Sequence, residues 1–351
     1  MNTMIEIPRL RFAHLPTPVE ELPRLSGFLN GPRLLVKRDD QTGLALGGNK
    51  TRKLEYLLAE AQSNGARTLI TVGAIQSNHC RQTAAAAARN GFDCILVLTY
   101  SDSTKIPGSN LVQNHHREDR DNTTKLSSGN LILDKLFGAE LVWASGQESD
   151  MVLEHTYQKA LDDGRKPFLI PRGGSNVIGA TAYVTAMEEL LAQISDLSIT
   201  DRAPDSIVFP SASGGTQAGL VLGGSMLGYD GQILGISIDE VGSALQESVA
   251  SLATETANFL GESKQFMADE IVVNDDFLGE GYGVLGEPEK EAIRLFATSE
   301  GLLLDPVYTG RAAAGMIRLI REGYFRNDQT ILFWHTGGVP ALFADEYQGL
   351  I

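Results

Sequence analysis

A lysine beside two glycines is the clearest chemical feature of this sequence. Lys50 follows Gly47 and Gly48, and apolar residues at helical spacing continue from Lys53 until Gly65. The glycines let the backbone approach a flat ligand closely, and the turn directs the lysine amine at a cleft. A desolvated lysine loses its proton more easily and can form a Schiff base with an aldehyde or ketone. On spacing alone, a solvated surface lysine remains the alternative.

A glycine-rich loop is the second candidate for chemistry. Its hydroxyls and glycine amides stand just before a predicted helix, whose N-terminus attracts anions. The loop is therefore a candidate phosphate site. A turn that only tightens the packing of a helix on a strand would have the same glycine-rich sequence, and it is the alternative. No Gly-Lys-Ser/Thr follows, so it is not a nucleotide-binding P-loop. The candidate phosphate ligands are Ser213, Gly214, Gly215, Thr216, Gln217 and Ala218.

Four pairs of glycines follow apolar segments of the chain. They are Gly47-Gly48, Gly173-Gly174, Gly214-Gly215 and Gly337-Gly338. In open α/β sheets, ligands bind outside the carboxyl ends of the strands. We therefore expect the four loops to gather on one edge of a sheet and to line one cleft.

Short β-branched segments alternate with helical patterns, an order typical of parallel strands joined by crossover helices. The predicted strands are 34–36, 68–72, 95–98, 168–170, 207–209, 233–238 and 331–334. The predicted helices are 81–90, 177–194, 217–227, 287–300 and 311–322. The charged segment 101–128 has little apolar periodicity and is expected to form a surface excursion.

Composition limits the classes of function. The chain has 351 residues, enough for two core-forming units, and its formal net charge of −15 argues against nucleic acid as a partner. Its two cysteines, Cys80 and Cys94, allow neither a disulfide framework nor a zinc site, and no metal is expected. Without a secretory signal or an apolar stretch of eighteen residues, we expect a cytoplasmic protein that does not bind membranes.

A Schiff-base lysine and a phosphate loop on one scaffold are what pyridoxal 5′-phosphate requires. The motifs GGNKTRKLE (47–55), GAIQSNH (73–79), DPVY (305–308) and HTGG (335–338) resemble the family of 1-aminocyclopropane-1-carboxylate deaminase and D-cysteine desulfhydrase. The likeness spans nearly the whole chain. It implies the α/β, tryptophan-synthase β-like fold (fold type II) and pyridoxal 5′-phosphate as cofactor.

The resemblance also implies a domain organisation and a set of residue roles. Residues 1–52 and 166–351 would form a large cofactor-binding domain, and 53–165 a small inserted domain, each an open twisted parallel sheet. Asn78 would hold the cofactor's ring oxygen, and Thr309 would face its pyridine nitrogen. The implied catalytic residues are Lys50, Ser77, Tyr282 and Tyr308. The implied substrate-binding residues are Lys53, Ser77, Asn78, His79 and Thr336.

Two threonines separate this sequence from the deaminase branch, which has a glutamate at position 309 and a leucine at position 336. A neutral Thr309 makes the cofactor a weaker electron sink, adequate for loss of an α-proton coupled to departure of a β-substituent. The resemblance thus implies α,β-elimination on a small cysteine-like amino acid, giving pyruvate, ammonia and a sulfur anion. We expect a homodimer.

The identity of the leaving group is left open between two branches, D-cysteine desulfhydrase and L-cysteate sulfo-lyase. The amino-terminal motif RFAHLPTP (11–18), Arg172 and the basic residues of 115–120 favour L-cysteate. For Arg172 a surface ion pair is the alternative. The competing hypotheses for function are the cyclopropane deaminase and a catalytically silent protein that binds the cofactor or an amino acid.

Overall fold

The computed structural model describes residues 7–100, 128–196 and 202–350, and ten strands fall within these ranges. They are β1 (Val19–Glu21), β2 (Arg33–Arg38), β3 (Thr68–Ala74), β4 (Asp93–Tyr100), β5 (Glu140–Ser145), β6 (Pro167–Leu169), β7 (Ser206–Ser211), β8 (Gln232–Ser237), β9 (Val272–Asn274) and β10 (Thr330–His335). Every strand that the sequence predicts overlaps one of these.

The α-helices of the described residues connect or flank the strands. They are α1 (Pro23–Leu29), α2 (Asn49–Ser63), α3 (Asn78–Asn90), α4 (Gly129–Leu136), α5 (Ser149–Asp162), α6 (Val177–Asp196), α7 (Gly215–Leu227), α8 (Gly242–Phe259), α9 (Glu287–Glu300) and α10 (Thr309–Arg321). The five predicted helices correspond to α3, α6, α7, α9 and α10, with boundaries that differ by no more than a turn.

The strands form two sheets. The larger has the order β1-β2-β10-β7-β8-β9, and the smaller has the order β5-β4-β3-β6. All strand pairs are parallel except β1 with β2, which is antiparallel. The sequence analysis did not predict β1. The large and small domains therefore each contain a predominantly parallel sheet. The proposed boundary at residue 165 falls before β6, which pairs with β3, so the small-sheet segment extends at least to Leu169.

Side chains of the central strands alternate between two helical layers. In β10, Phe333 contacts Phe296 of α9, with ring centroids 5.4 Å apart. The next residue, Trp334, faces the opposite layer and contacts Tyr183 of α6 at 5.8 Å. Since every residue of β7 and β10 is buried, these strands are covered on both faces, as parallel strands require.

The smaller sheet packs against a helix rich in alanine. The residues Ala84–Ala87 of α3 are buried in the cluster that also holds Leu69 of β3 and Leu96 of β4. Small side chains let the helix approach the sheet closely. The N-terminus of α3 begins at the carboxyl end of β3, beside the larger sheet's loops, and Ser77 caps it by accepting a hydrogen bond from the Cys80 amide at 3.2 Å.

A buried ionic cluster ties the start of α2 to the larger sheet. The Arg52 guanidinium donates to both carboxylate oxygens of Asp39, at 2.8 and 3.0 Å, and to Glu189 of α6. Asp39 also accepts from the Thr17 and Tyr183 hydroxyls. Burial raises the pKa of Asp39, but the charges of Arg52 and Lys37 and the hydrogen bonds from Arg52 and Tyr183 together outweigh burial, and the pKa lies below its usual 3.8.

Three sequence expectations can be compared with the structure only within the described residues. The expected excursion at 101–128 lies outside them except for Ser128, so its conformation is not described. Within the three described ranges, no helix has the length and apolar character needed to cross a bilayer. The same ranges contain no cluster of His, Cys, Asp and Glu suited to a metal ion.

Replacement of Asp39 by asparagine should lower the free energy of unfolding by about 3 kcal/mol or more, because it leaves the buried Arg52 with one carboxylate partner instead of two. Since the Asp39 pKa is depressed, this stabilisation is present above pH 3.8 and is lost as the pH falls below it. Urea denaturation measures both effects. Glu322→Gln, in the exposed pair with Arg318, is the control and should cost less than about 1 kcal/mol. Equal losses for the two variants would contradict the prediction.

Candidate active site

A polar cavity of about 300 Å³ lies where the carboxyl ends of strands from both sheets meet. Its wall includes most of the residues that the sequence singles out: Lys50, Ser77, Asn78, His79, Ser213, Gly214, Thr216, Tyr282, Tyr308 and Thr336. Five predicted site residues are not on this wall: Lys53, Gly215, Gln217, Ala218 and Thr309.

The four diglycine loops meet at this cavity, but they do not belong to one sheet. Gly173-Gly174 follow β6 of the smaller sheet, whereas Gly214 and Gly337 follow strands of the larger one. The expectation of a single sheet edge is therefore wrong, because the chain brings the carboxyl ends of two sheets together. Close approach requires glycine here, since a Cβ atom at Gly337 would lie 2.6 Å from the Gly48 Cα.

Lys50 lies in the first turn of α2 with its amine in the cavity. The Asn49 amide donates to the Thr336 carbonyl at 2.9 Å, which fixes the start of the helix. The Lys50 Nζ donates to the Asn49 Oδ1 at 3.0 Å and lies 5.8 Å from the centre of the Tyr308 ring. Burial lowers the pKa of Lys50 to about 8, against an opposing effect of Asp305. An appreciable fraction of the amine is therefore neutral, and nucleophilic, near neutral pH.

The glycine-rich loop forms an anion cradle at the N-terminus of α7. Gly214 has a left-handed conformation (φ 76°), and the helix begins at Gly215. The Gly215 amide donates to the Ser175 hydroxyl, and a Cβ atom at Gly215 would lie 2.6 Å from that oxygen. The Asn49 side-chain amide donates to the Thr216 hydroxyl at 3.1 Å. The loop is thus joined directly to the turn that carries Lys50.

Lys53 lies behind the glycine-rich loop and not on the cavity wall. Its Nζ is 3.2 Å from the Gly173 carbonyl and 3.4 Å from the Ser175 hydroxyl. Among the described residues no carboxylate forms an ion pair with it, and burial, followed by the charge of Lys50, holds its pKa well below 10.5. This position differs from the expected contact with a substrate carboxylate, because the side chain points towards the loop.

The first turn of α3 supplies three cavity residues. Ser77 accepts from a backbone amide, so its own hydroxyl proton is available to the cavity. The His79 Nε2 is hydrogen-bonded to the Thr71 hydroxyl at 2.8 Å. Burial holds the pKa of His79 well below 6.5, so its ring is neutral at pH 7. The Asn78 Oδ1 accepts from Arg81, a residue that the sequence reasoning did not identify.

Two tyrosines face each other across one side of the cavity. The hydroxyls of Tyr282 and Tyr308 are 2.6 Å apart, and their rings meet edge to face with centroids 5.9 Å apart. Burial raises the pKa of both hydroxyls above 10. Both are therefore protonated at neutral pH, and the pair has one hydroxyl proton to offer beyond its internal hydrogen bond.

Thr309 lies away from the cavity wall, in contrast to the expectation that it faces a cofactor ring. Its hydroxyl donates to the Asp305 Oδ1 at 2.6 Å and accepts from the Asp305 amide at 2.8 Å. Thr309 is the first residue of α10, and its hydroxyl bonds to Asp305 in the preceding turn. These two bonds occupy the hydroxyl proton and one of the oxygen lone pairs. Of the two threonines that distinguish this sequence from the deaminase branch, Thr336 is the one on the wall.

Gln217 and Ala218 are buried inside α7. The Gln217 side-chain amide donates to the Val272 carbonyl at 2.9 Å, away from the cavity.

The sequence analysis did not identify two acids of the site, Asp239 and Glu240, which share the cavity wall with Arg172. No motif marks these acids, because only the fold places the end of β8 beside Arg172.

The residues present fit pyridoxal 5′-phosphate. The cofactor needs an amine for its aldehyde and an anion site for its phosphate. The cavity offers the Lys50 amine, whose pKa is lowered to about 8, and the N-terminus of α7 lies on the same wall. The close packing of Gly215 against Ser175 leaves no room for a side chain in the cradle, and the buried Lys53 amine lies directly behind it.

Comparisons with known proteins agree with this site. The family described as "Pyridoxal-phosphate dependent enzyme" matches residues 10–337. A D-cysteine desulfhydrase from Salmonella typhimurium is 39% identical over 345 residues, which cover 98% of each chain. A crystal structure of an ACC deaminase homologue is 35% identical, with a TM-score of 0.83 over 99% of this chain and 97% of that one.

A more distant structure shows how widely the fold is shared. A fungal L-serine ammonia-lyase from Rhizomucor miehei is 17% identical, with a TM-score of 0.64 over 97% of this chain and 99% of that one. At this identity the likeness concerns the fold alone. Together with the buried lysine and the anion cradle, these comparisons establish that the chain belongs to the family of pyridoxal-phosphate dependent enzymes and is a lyase of fold type II.

Proposed function

We propose that the protein catalyses α,β-elimination on a small cysteine-like amino acid, in which water enters and pyruvate, ammonia and a sulfur anion leave. The observation that carries this proposal is the Lys50 amine, with its pKa lowered to about 8, in a small polar cavity beside two protonated tyrosines. The 39% sequence identity with a D-cysteine desulfhydrase supports a sulfur-containing substrate.

The residues that would hold the cofactor lie on three elements. Lys50 would hold its aldehyde, the loop Ser213–Thr216 and Lys53 its phosphate, and Asn78 its ring oxygen. Bound pyridoxal 5′-phosphate supplies an electron sink for the α-carbon. Lys53 is assigned to the phosphate because its ammonium lies behind the loop, 3.0 Å from the position that a Cβ atom of Gly215 would take.

The chain's own groups can carry out the proton transfers. Lys50, whose pKa is lowered to about 8, would take the α-proton in its neutral form. The pair Tyr282 and Tyr308 would donate a proton to the departing sulfur, because burial keeps both hydroxyls protonated. The Ser77 hydroxyl and the free backbone amides of the first turn of α3 would hold the substrate carboxylate.

The alternative function that one comparison favours is deamination of 1-aminocyclopropane-1-carboxylate (ACC), since the structure of an ACC deaminase homologue is 35% identical in sequence. The sequence argues against it, because threonine replaces the glutamate of that branch at position 309. In the structure the Thr309 hydroxyl is hydrogen-bonded to Asp305, and Thr336, which lies on the wall, is also neutral. A silent binding protein is disfavoured by Lys50 and the tyrosine pair.

Two leaving groups remain to be distinguished. The named substrate of the Salmonella relative favours D-cysteine, which releases sulfide. Arg172 on the cavity wall favours L-cysteate, whose sulfonate would leave as sulfite, but Asp239 and Glu240 on the same wall offset its charge. We therefore place D-cysteine first and L-cysteate second.

We also propose a cytoplasmic homodimer. The two cysteines are unpaired, in keeping with a reducing compartment. Leu136 of α4 and Phe343 are 76% and 69% exposed, and α4 packs beside the turn Val339–Phe343, so the two side chains offer an apolar contact surface. Sedimentation equilibrium tests this proposal, and a monomer at micromolar concentration would contradict it.

Lys50→Ala should remove the visible absorbance of the bound cofactor and lower turnover on the order of a thousandfold, because the variant loses both the covalent attachment and the proposed base. Absorbance spectra and pyruvate release measure the two effects. Lys159→Ala, an exposed change on α5, is the control and should match the unmodified protein. Normal turnover by the Lys50 variant would refute the assignment.

The substrate assignment is tested by incubation with D-cysteine, L-cysteine, L-cysteate and 1-aminocyclopropane-1-carboxylate, with sulfide, sulfite and keto acid measured separately. We expect sulfide and pyruvate from D-cysteine. If L-cysteate is a substrate, Arg172→Ala should raise its KM about tenfold and leave the KM for D-cysteine within about twofold, because only the sulfonate would contact Arg172. Ring opening of the cyclopropane without sulfide release would favour the deaminase instead.

A further inference from the structure

A fully buried arginine lies directly behind the cavity wall. Arg81 of α3 has no exposed surface, and among the described residues no carboxylate forms an ion pair with it. Its Nη1 donates to the Asn78 Oδ1 at 2.7 Å and to the Asn130 Oδ1 at 2.5 Å, and its Nη2 donates to the Gly47 carbonyl at 2.9 Å. The charges of Asp134 and Asp305 favour its charged form, but its hydrogen-bond acceptors are all neutral. Burial of a guanidinium without a directly bound carboxylate is costly, which suggests a purpose beyond packing.

The contact with Asn78 dictates which way that amide points. A guanidinium can only donate hydrogen bonds, so it requires the carbonyl end of the Asn78 side chain. The opposite orientation would place two donors face to face. The Asn130 side-chain amide also points at the Asn78 Oδ1, at 3.3 Å. The Asn78 NH2 group, on the cavity wall, is therefore left to donate into the cavity.

The contact with Gly47 reaches the turn that carries Lys50. The Gly47 carbonyl accepts from Arg81 and, at 2.7 Å, from the Gln82 side chain. Two neighbouring residues of α3 thus hold the backbone three positions before Lys50. The positive charge of Arg81 also adds to the lowering of the Lys50 pKa, after the larger effects of burial and of Asp305, which acts in the opposite direction.

We propose that Arg81 is a positioning residue: it fixes the Asn78 amide as a hydrogen-bond donor towards the cofactor ring and holds the Gly47 turn beneath Lys50. The inference rests on the proposed contacts of Asn78 and Lys50 with the cofactor. It does not depend on which amino acid is the substrate, so cofactor binding tests it separately from the proposed reaction.

The experiment compares three variants of the full-length protein. Arg81→Met removes the donors and the charge with little change in length, and Arg81→Lys keeps the charge with a single donor group. Gln82→Met is the comparison variant: it removes the other donor to Gly47 and the acceptor of the Thr51 hydroxyl, but it leaves Arg81 bound to Gly47 and Asn78 in place. Titration with pyridoxal 5′-phosphate, followed by visible absorbance, gives the dissociation constant and the absorption maximum of each variant.

We expect Arg81→Met to weaken cofactor binding about tenfold or more and to shift the visible absorption maximum, because the Asn78 amide is no longer fixed. Arg81→Lys should recover part of both effects. Gln82→Met should weaken binding less than Arg81→Met, because Arg81 still holds Gly47, and should keep the absorption maximum of the unmodified protein, because Asn78 is still fixed. Wild-type affinity and spectrum for Arg81→Met, or equal defects for Arg81→Met and Gln82→Met, would overturn the proposal.

A double-mutant cycle with Asn78→Ala separates positioning from general packing. If Arg81 acts through Asn78, its replacement should weaken binding much less in the Asn78→Ala protein than in the wild type. Additive losses would show that Arg81 acts independently of Asn78 and would overturn the proposal. Should Arg81→Met lose its folded far-UV spectrum, Arg81→Lys takes its place in the cycle, with the same nonadditive result expected.

Discussion

The site depends on the fixed position of the first turn of α2, which is held from two sides. From the larger sheet, Asp39 binds Arg52 through a buried pair of charged hydrogen bonds. From the smaller sheet, Arg81 binds the Gly47 carbonyl. Lys50 lies between these two anchors, so its amine is placed relative to both sheets at once. A movement of either sheet would move the proposed nucleophile.

Two buried lysines without a directly bound carboxylate determine the chemistry of the cavity. Lys50 and Lys53 are both removed from water, and the structure pairs neither with a carboxylate among the described residues. The desolvation cost falls on their charged forms, which lowers both pKa values. For Lys50 this favours the neutral amine that covalent chemistry needs. For Lys53, beside the glycine-rich loop, a bound phosphate would provide the missing negative charge.

The sequence predicted the backbone of the site better than the directions of its side chains. The turn before Lys50 and the loop before α7 were predictable, because glycine and helix-start patterns are local. Lys53 was placed differently because its partner, the Gly173 carbonyl, is distant in sequence. Thr309 was placed differently because its hydroxyl is bound by Asp305, four residues earlier, in a turn that the sequence pattern did not reveal. Arg81 carried no local signal, since its role appears only when the two sheets meet.

Lys50, and not its neighbour Lys53, is the lysine proposed to carry the cofactor. Borohydride reduction of the purified, cofactor-loaded protein, followed by peptide mass mapping, tests this directly. One modified site is expected, with the added mass of the reduced cofactor on Lys50. Modification of Lys53 or of a lysine outside the cavity, with Lys50 unmodified, would contradict the account.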